Sequence, residues 1–238
     1  ARGDLATAEA GHLEALAAFE RLAASEPANA GWRRDLSVSH DRIGDVRRAQ
    51  GDLAGALAAY EAGLAIREEL AASDPESAGW RRDLSVSHEK IGDVRRAQGD
   101  LARALAAYEA SHAILEELAA SDPANAGWQR DLSVSHNKIG DVRREQGDLA
   151  GALAAYEASH AIFEELAASD PDNAGWQRDL SVSHDRIGDV RRDQGDLAGA
   201  LAAYEADLAI AEELAASDPD NAGWQRDLSV SHNKIGDV

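Results

Sequence analysis

The chain contains no cysteine and no methionine. Without cysteine there are no disulfides, no thiolate metal sites and no sulfur nucleophile, and the redox compartment stays open. Without methionine, Ala1 is not a translation start, so the expectation is a processed or excised segment of a longer protein. Apolar residues make up 44% of the sequence, yet no run approaches the roughly 20 residues that a membrane span needs, and no signal-like n-region and h-region occur. The expectation is a soluble, cytoplasmic protein with no membrane partner. Positive charge is also scarce: 24 Lys and Arg stand against 44 Asp and Glu, a net charge of −20. That balance argues against nucleic acid as a partner, because phosphate binding needs the opposite sign.

What is there is one unit, copied. Residues 31–78 read GWRRDLSVSHDRIGDVRRAQGDLAGALAAYEAGLAIREELAASDPESA, and the stretch returns almost unchanged at 79–126, 127–174 and 175–222. Residues 1–30 match its second half and 223–238 its first half, so Trp32, Trp80, Trp128, Trp176 and Trp224 stand 48 apart. A period of this length is the signature of a solenoid, where no unit buries its apolar face alone. Residues 1–238 are therefore read as a single array. Charge is divided within the unit. The five first halves carry +2, +2, +1, 0 and 0, whereas the five second halves carry −3, −5, −4, −6 and −7.

Each unit reads as two helices. Asn29, Ser77, Asn125, Asn173 and Asn221 are placed to cap helix A, whose positions Trp32, Leu36, Ser39, Ile43 and Val46 share one face. Gly51 suits the left-handed residue that ends a helix, and Asp52 the cap of the next. So short a connection makes helix B antiparallel to A. Helix B, about Leu53 to Ser73, has two seams: Leu53, Leu57, Tyr60 and Leu64, and Ala56, Tyr60, Gly63, Ile66 and Leu70. Two seams imply two partners, its own helix A and the A of the next unit. Asp74-Pro75 stops the helix, as do Pro27, Pro123, Pro171 and Pro219 in the other units.

Taken together, Ile43-Gly44, Gln50-Gly51-Asp52, Ala56, Tyr60, Gly63 and Asp74-Pro75 make the unit resemble the tetratricopeptide repeat. That family's unit is about 34 residues. The longer unit here adds about two turns to each helix, with Trp32, Leu36 and Leu70 as their packing groups. His40 stands where the family usually has Trp. The resemblance implies an all-α, right-handed superhelical solenoid of antiparallel helix hairpins. The pentatricopeptide class, which reads RNA, is the nearest look-alike, and an acidic chain matches it poorly. The resemblance also implies a protein or peptide partner in a concave groove lined by helix A. Position by position, that groove presents Val38, Asp41, Asp45, Arg48 and Ala49, then Val86, Glu89, Asp93, Arg96 and Ala97. It continues with Val134, Asn137, Asp141, Arg144 and Glu145, then Val182, Asp185, Asp189, Arg192 and Asp193. The family's carboxylate-clamp subset has Asn and Lys where this chain has Asp45 and Val38. Long repeats of this kind also look like regulatory arms of larger bacterial signalling proteins.

The remaining motifs are read as structural. Ser39-His40-Asp41 cannot act as a triad, because consecutive helical side chains diverge by about 100°. His40, His88, His136, His184 and His232 are read as packing residues, hydrogen-bonded to a hydroxyl such as that of Tyr60. With His112 and His160 on helix B, they are not expected to share a metal. Arg47-Arg48 and its copies are expected near Asp52, and Glu68-Glu69 to meet Arg81-Arg82 of the next unit. Position 67 varies as Arg67, Leu115, Phe163 and Ala211, which predicts a rim location. No catalytic, cofactor or metal residues are expected. The function read from this is a non-catalytic interaction scaffold. The alternatives are head-to-tail self-association through the terminal helices, and a consensus-type array without a specific ligand.

Overall fold

A computed structural model describes residues 2–238, with side chains from Asp4 onward. Among the described residues all regular structure is helical: α1 (Arg2–Ser25), α2 (Ala30–Gln50), α3 (Leu53–Ser73), α4 (Ala78–Ala97), α5 (Leu101–Ser121), α6 (Ala126–Glu145), α7 (Leu149–Ser169), α8 (Ala174–Asp193), α9 (Leu197–Ser217) and α10 (Ala222–Gly236). Even-numbered helices are the A helices, and odd-numbered ones the B helices. No helix among the described residues is long and apolar enough to cross a membrane.

Helix boundaries follow from local chemistry. The Asn29 side chain accepts the Trp32 amide at 3.2 Å, and Asn125 does the same for Trp128. These contacts satisfy one of the free amides that every helix start leaves exposed. At the other end, Gly51 adopts φ 84 and donates its amide to the carbonyls of Arg47 and Arg48. A residue with a Cβ pays steric strain at that angle. Asp52 then accepts from Gly55 at 2.9 Å to open α3.

The helices form two compact blocks, one running to Ser121 and the other from Asp122 to Val238. In the first block α1, α2, α3, α4 and α5 pack in sequence order, each on its neighbour; in the second, α6, α7, α8, α9 and α10 do likewise. The B helices α3, α7 and α9 thus each have two partners. Ala56 and Tyr60 of α3 pack with Ile91 and Val94 of α4, and Ala152 and Tyr156 of α7 pack with Ile187 and Val190 of α8. Burying one such aliphatic side chain is worth about 1.5–3 kcal/mol. The hairpin closes tightly because Gly44 admits the Tyr60 ring, as Gly140 admits that of Tyr156.

One seam is corrected. The buried positions of α3 are Ala56, Ala59, Tyr60, Gly63, Arg67 and Leu70, while Ile66 is only half-buried. Seven residues make almost two turns, so Arg67 lies directly along the helix from Tyr60 and Ile66 is rotated off the seam.

Candidate functional site

Within each block, consecutive A helices are laced together by charge. Lys90 donates to Asp45 at 2.7 Å, Lys234 to Asp189 at 2.6 Å, and Arg186 to Asp141. From the other direction Arg48 reaches Asp93 at 3.3 Å, and Arg144 reaches Asp189 at 3.2 Å. Near the helix starts Arg34 pairs with Asp83 at 2.6 Å, Arg130 with Asp179 at 2.8 Å and Arg178 with Asp227 at 2.6 Å. The Asp45 row is the centre of this ladder, because it also accepts the tyrosine hydroxyls: Tyr60 to Asp45, Tyr108 to Asp93 and Tyr156 to Asp141, each at 2.7 Å, and Tyr204 to Asp189 at 2.8 Å. The cations stand over those rings, Lys90 at 5.1 Å from the Tyr60 centroid and Lys234 at 5.7 Å from that of Tyr204. Burial pushes the Asp45 carboxyl upward, but the hydrogen bonds from Lys90 and Tyr60 outweigh it and hold the group below its ordinary value. Burial also raises the Tyr60 hydroxyl, and its bond to Asp45 raises it further.

The predicted groove residues therefore divide. Asp45, Asp93, Asp141 and Asp189 are rungs, as are Arg48 and Arg144, whereas Arg192 lies 3.6 Å from Asp189 of its own helix. Arg96 and Glu89 are half-buried and engaged. Asp41 is not on the surface at all: it is buried and accepts from Arg67 at 2.7 Å. Asp185 lies 3.0 Å from Lys234, yet burial raises its carboxyl. Asn137 lines a cleft of about 240 Å³ with Val134, Phe163 and Val182. Val182 is 39% exposed.

Position 67 is not on a rim. Arg67, Leu115, Phe163 and Ala211 are 4%, 1%, 3% and 2% exposed. The site accepts such different side chains because its surroundings change with it. Arg67 has Asp41 and Ser87 as partners, whereas the repeat with Phe163 has Asn137 at the position of Asp41.

Two further expectations are corrected. The tyrosine hydroxyls go to aspartates, so the histidines pack otherwise: His160 bonds Ser183 at 2.8 Å, and its ring centroid is 4.4 Å from that of His184. Burial, then the neighbouring His160, push His184 down to about 4. Arg47 does lie beside Asp52, donating to the Gly55 carbonyl at 3.4 Å in the turn that Asp52 caps, and it also pairs with Glu9 of the preceding B helix at 3.1 Å, as Arg95 does with Glu61 at 3.3 Å. Glu69 meets Arg33 of its own hairpin, and Glu117 meets Arg81, so these pairs close a repeat and do not join it to the next. Among the described residues no group of three or more His, Asp or Glu side chains gathers to hold a metal.

The ladder cations Lys90, Arg186 and Lys234 were missed, as were Arg34, Arg130 and Arg178. Their signal was opposite charge at a separation of 45 or 49 residues, one repeat less three or plus one.

No family model matches the chain, and no curated protein does. Solved structures do resemble it. BtubC (BKLC) from P. vanneervenii is 18% identical, with 98% of this chain and 85% of that one covered at a TM-score of 0.70. MamA is 16% identical over 84% and 88% of the two chains, TM-score 0.51. RapI in its apo form is 16% identical, TM-score 0.62, with 85% of this chain covering half of that one. At such identities the likeness establishes the fold alone: an all-α, tetratricopeptide-like superhelix of antiparallel helix hairpins.

Proposed function

We propose that the chain is a non-catalytic protein-binding scaffold, holding an extended peptide or a helix against its A helices. The observation that carries this reading is the row of valines on the A-helix surface. Val182 and Val230 are the exposed members of the row, and Val134 with Val182 borders the cleft over Phe163. Half-wet apolar steps set in a ladder of fixed charges are what a side chain from a partner needs: area to bury, and polar groups to set its register. The residues assigned to the groove are Asp41, Asp45, Arg48, Glu89, Asp93, Arg96, Asn137, Asp141, Arg144, Asp185, Asp189 and Arg192. Of these, Asp41 acts from below, by setting the floor with Arg67. Peptides selected by display on the purified chain test the reading. Their affinity should fall at least tenfold on Val182→Asp or Asn137→Lys and hold on Ala202→Asp, a substitution on the exposed side of α9. Unchanged affinity in the groove variants overturns it.

Self-association through the terminal helices is the second reading. Leu22 of α1 is 37% exposed, whereas its copy Leu70, in a helix with a partner on each side, is 1% exposed. Ser229 of α10 is likewise exposed, though Ser37, Ser85, Ser133 and Ser181 are all buried. An A face and a B face left open on one chain complement each other, and such a contact propagates. Light scattering that shows a monomer at millimolar concentration would rule this out for the 238-residue chain.

A further inference from the structure

Where one B helix hands over to the next hairpin, the second block has two equivalent clefts. One, of about 340 Å³, is bordered by Pro171, Gln177, Ile210, Glu213 and Leu214. The other, of about 350 Å³, is bordered by Pro123, Gln129, Ile162, Glu165 and Leu166, the same positions one repeat earlier. Each has an aliphatic floor and a glutamate at the rim, and the first adds Asp172 where the second has Ala124. In the first block the same positions are Arg33 with Ile66 and Glu69, and Arg81 with Ile114 and Glu117. There the chain's own arginine lies on the carboxylate.

In the second block glutamine replaces that arginine and turns away. The Gln177 amide donates to the Pro171 carbonyl at 3.3 Å, and that of Gln129 to the Pro123 carbonyl at 3.4 Å. Among the described residues no ion pair or hydrogen bond reaches Glu165 or Glu213. We propose that these two clefts take arginine side chains from a basic partner segment, each in the place that Arg33 and Arg81 fill from within. An arginine side chain offers an apolar methylene stem for Ile210 or Ile162 and a planar guanidinium fork of donors for the carboxylate. The acidic second halves of these two repeats, −6 and −7, attract such a segment and speed its encounter. A single exposed pair contributes little. Two clefts one repeat apart make binding depend on a segment that engages both.

Fluorescein-labelled hexa-arginine, with hexa-lysine and hexa-citrulline for comparison, tests this by anisotropy at 150 mM salt on the whole chain. The Gln129→Arg/Gln177→Arg variant, which plugs both clefts, and Glu165→Gln/Glu213→Gln should each weaken hexa-arginine binding at least tenfold. Arg33→Gln/Arg81→Gln should strengthen it by opening two more clefts. Glu14→Gln/Glu205→Gln removes the same charge elsewhere on the surface and should change binding less than twofold. Val182→Asp should leave it unchanged, which separates this site from the A-helix groove. The proposal is overturned if the Glu14/Glu205 variant loses as much as the Glu165/Glu213 variant, if plugging has no effect, or if hexa-lysine or hexa-citrulline binds as tightly as hexa-arginine.

Discussion

At Arg67 a guanidinium is buried against Asp41 and Ser87, at the place where the other full repeats carry Leu115, Phe163 and Ala211. Breaking a buried pair costs more than never having had one, because the survivor keeps its charge without water. Arg67→Leu alone should therefore lose about 3–5 kcal/mol in urea denaturation. Asp41→Asn/Arg67→Phe, which copies the repeat with Asn137 and Phe163, should recover most of that. Variation at this position looked like surface freedom in the sequence, since one site cannot hold Arg and Ala in the same surroundings. The surroundings vary too, at residue 41 and its copies, and that coupling shows only when the two helices are brought together. The histidines supply a second prediction. Burial lowers His40, His88, His112 and His160 from their ordinary value, and His184 to about 4. A lowered folded-state value means that the unfolded chain takes protons first, so this stability is present above about pH 6.5 and drains as pH falls toward 4. Melting temperature should drop across that window, and less steeply in His160→Leu, which places there the residue found at Leu64 and Leu208.

Within the hairpins, the close packing of the A helix on the tyrosine of its B helix depends on glycine. An ideal Cβ on Gly140 would lie 2.6 Å from the Tyr156 ring, and the same holds within 0.1 Å at Gly92 and Gly188. Gly140→Ala should push α6 from α7 and cost about 1–3 kcal/mol, the usual range for overpacking. It should also loosen the Tyr156 hydroxyl from Asp141, and with it the rung to Arg186. Thermal melts together with tyrosine absorbance near pH 10–12 would report both effects. Caps, turns and helix ends were legible in the sequence because Asn29, Gly51 and Asp52 act on neighbours two to five residues away. Ion-pair choice was not legible. Arg33 and Arg81 both start A helices at the end where α3 stops, and only the rotation of α3 about its axis gives Glu69 to Arg33.

For the molecule as a whole, each helix is held by its neighbours, so protection should follow the number of neighbours. The only buried residue of α10 is Ser231, whereas α9, with a partner on each side, buries seven. Amide exchange followed by mass spectrometry should be fastest in α10 and α1 and slowest in helices with a partner on each side, such as α3, α7 and α8. Equal rates along the chain would contradict the neighbour-by-neighbour account. The sequence alone determined the period, the two antiparallel helices of each repeat, their caps and the separation of acidic from near-neutral halves. All of these depend on residue spacing and on contacts within a few positions. Tertiary structure decided which aspartates are rungs, that Arg67 is buried, and that Arg33 and Arg81 cover Glu69 and Glu117, the positions of Glu213 and Glu165 in the later repeats. These outcomes depend on helix rotation and on distances between residues some 25 to 50 positions apart, which a helical pattern leaves free.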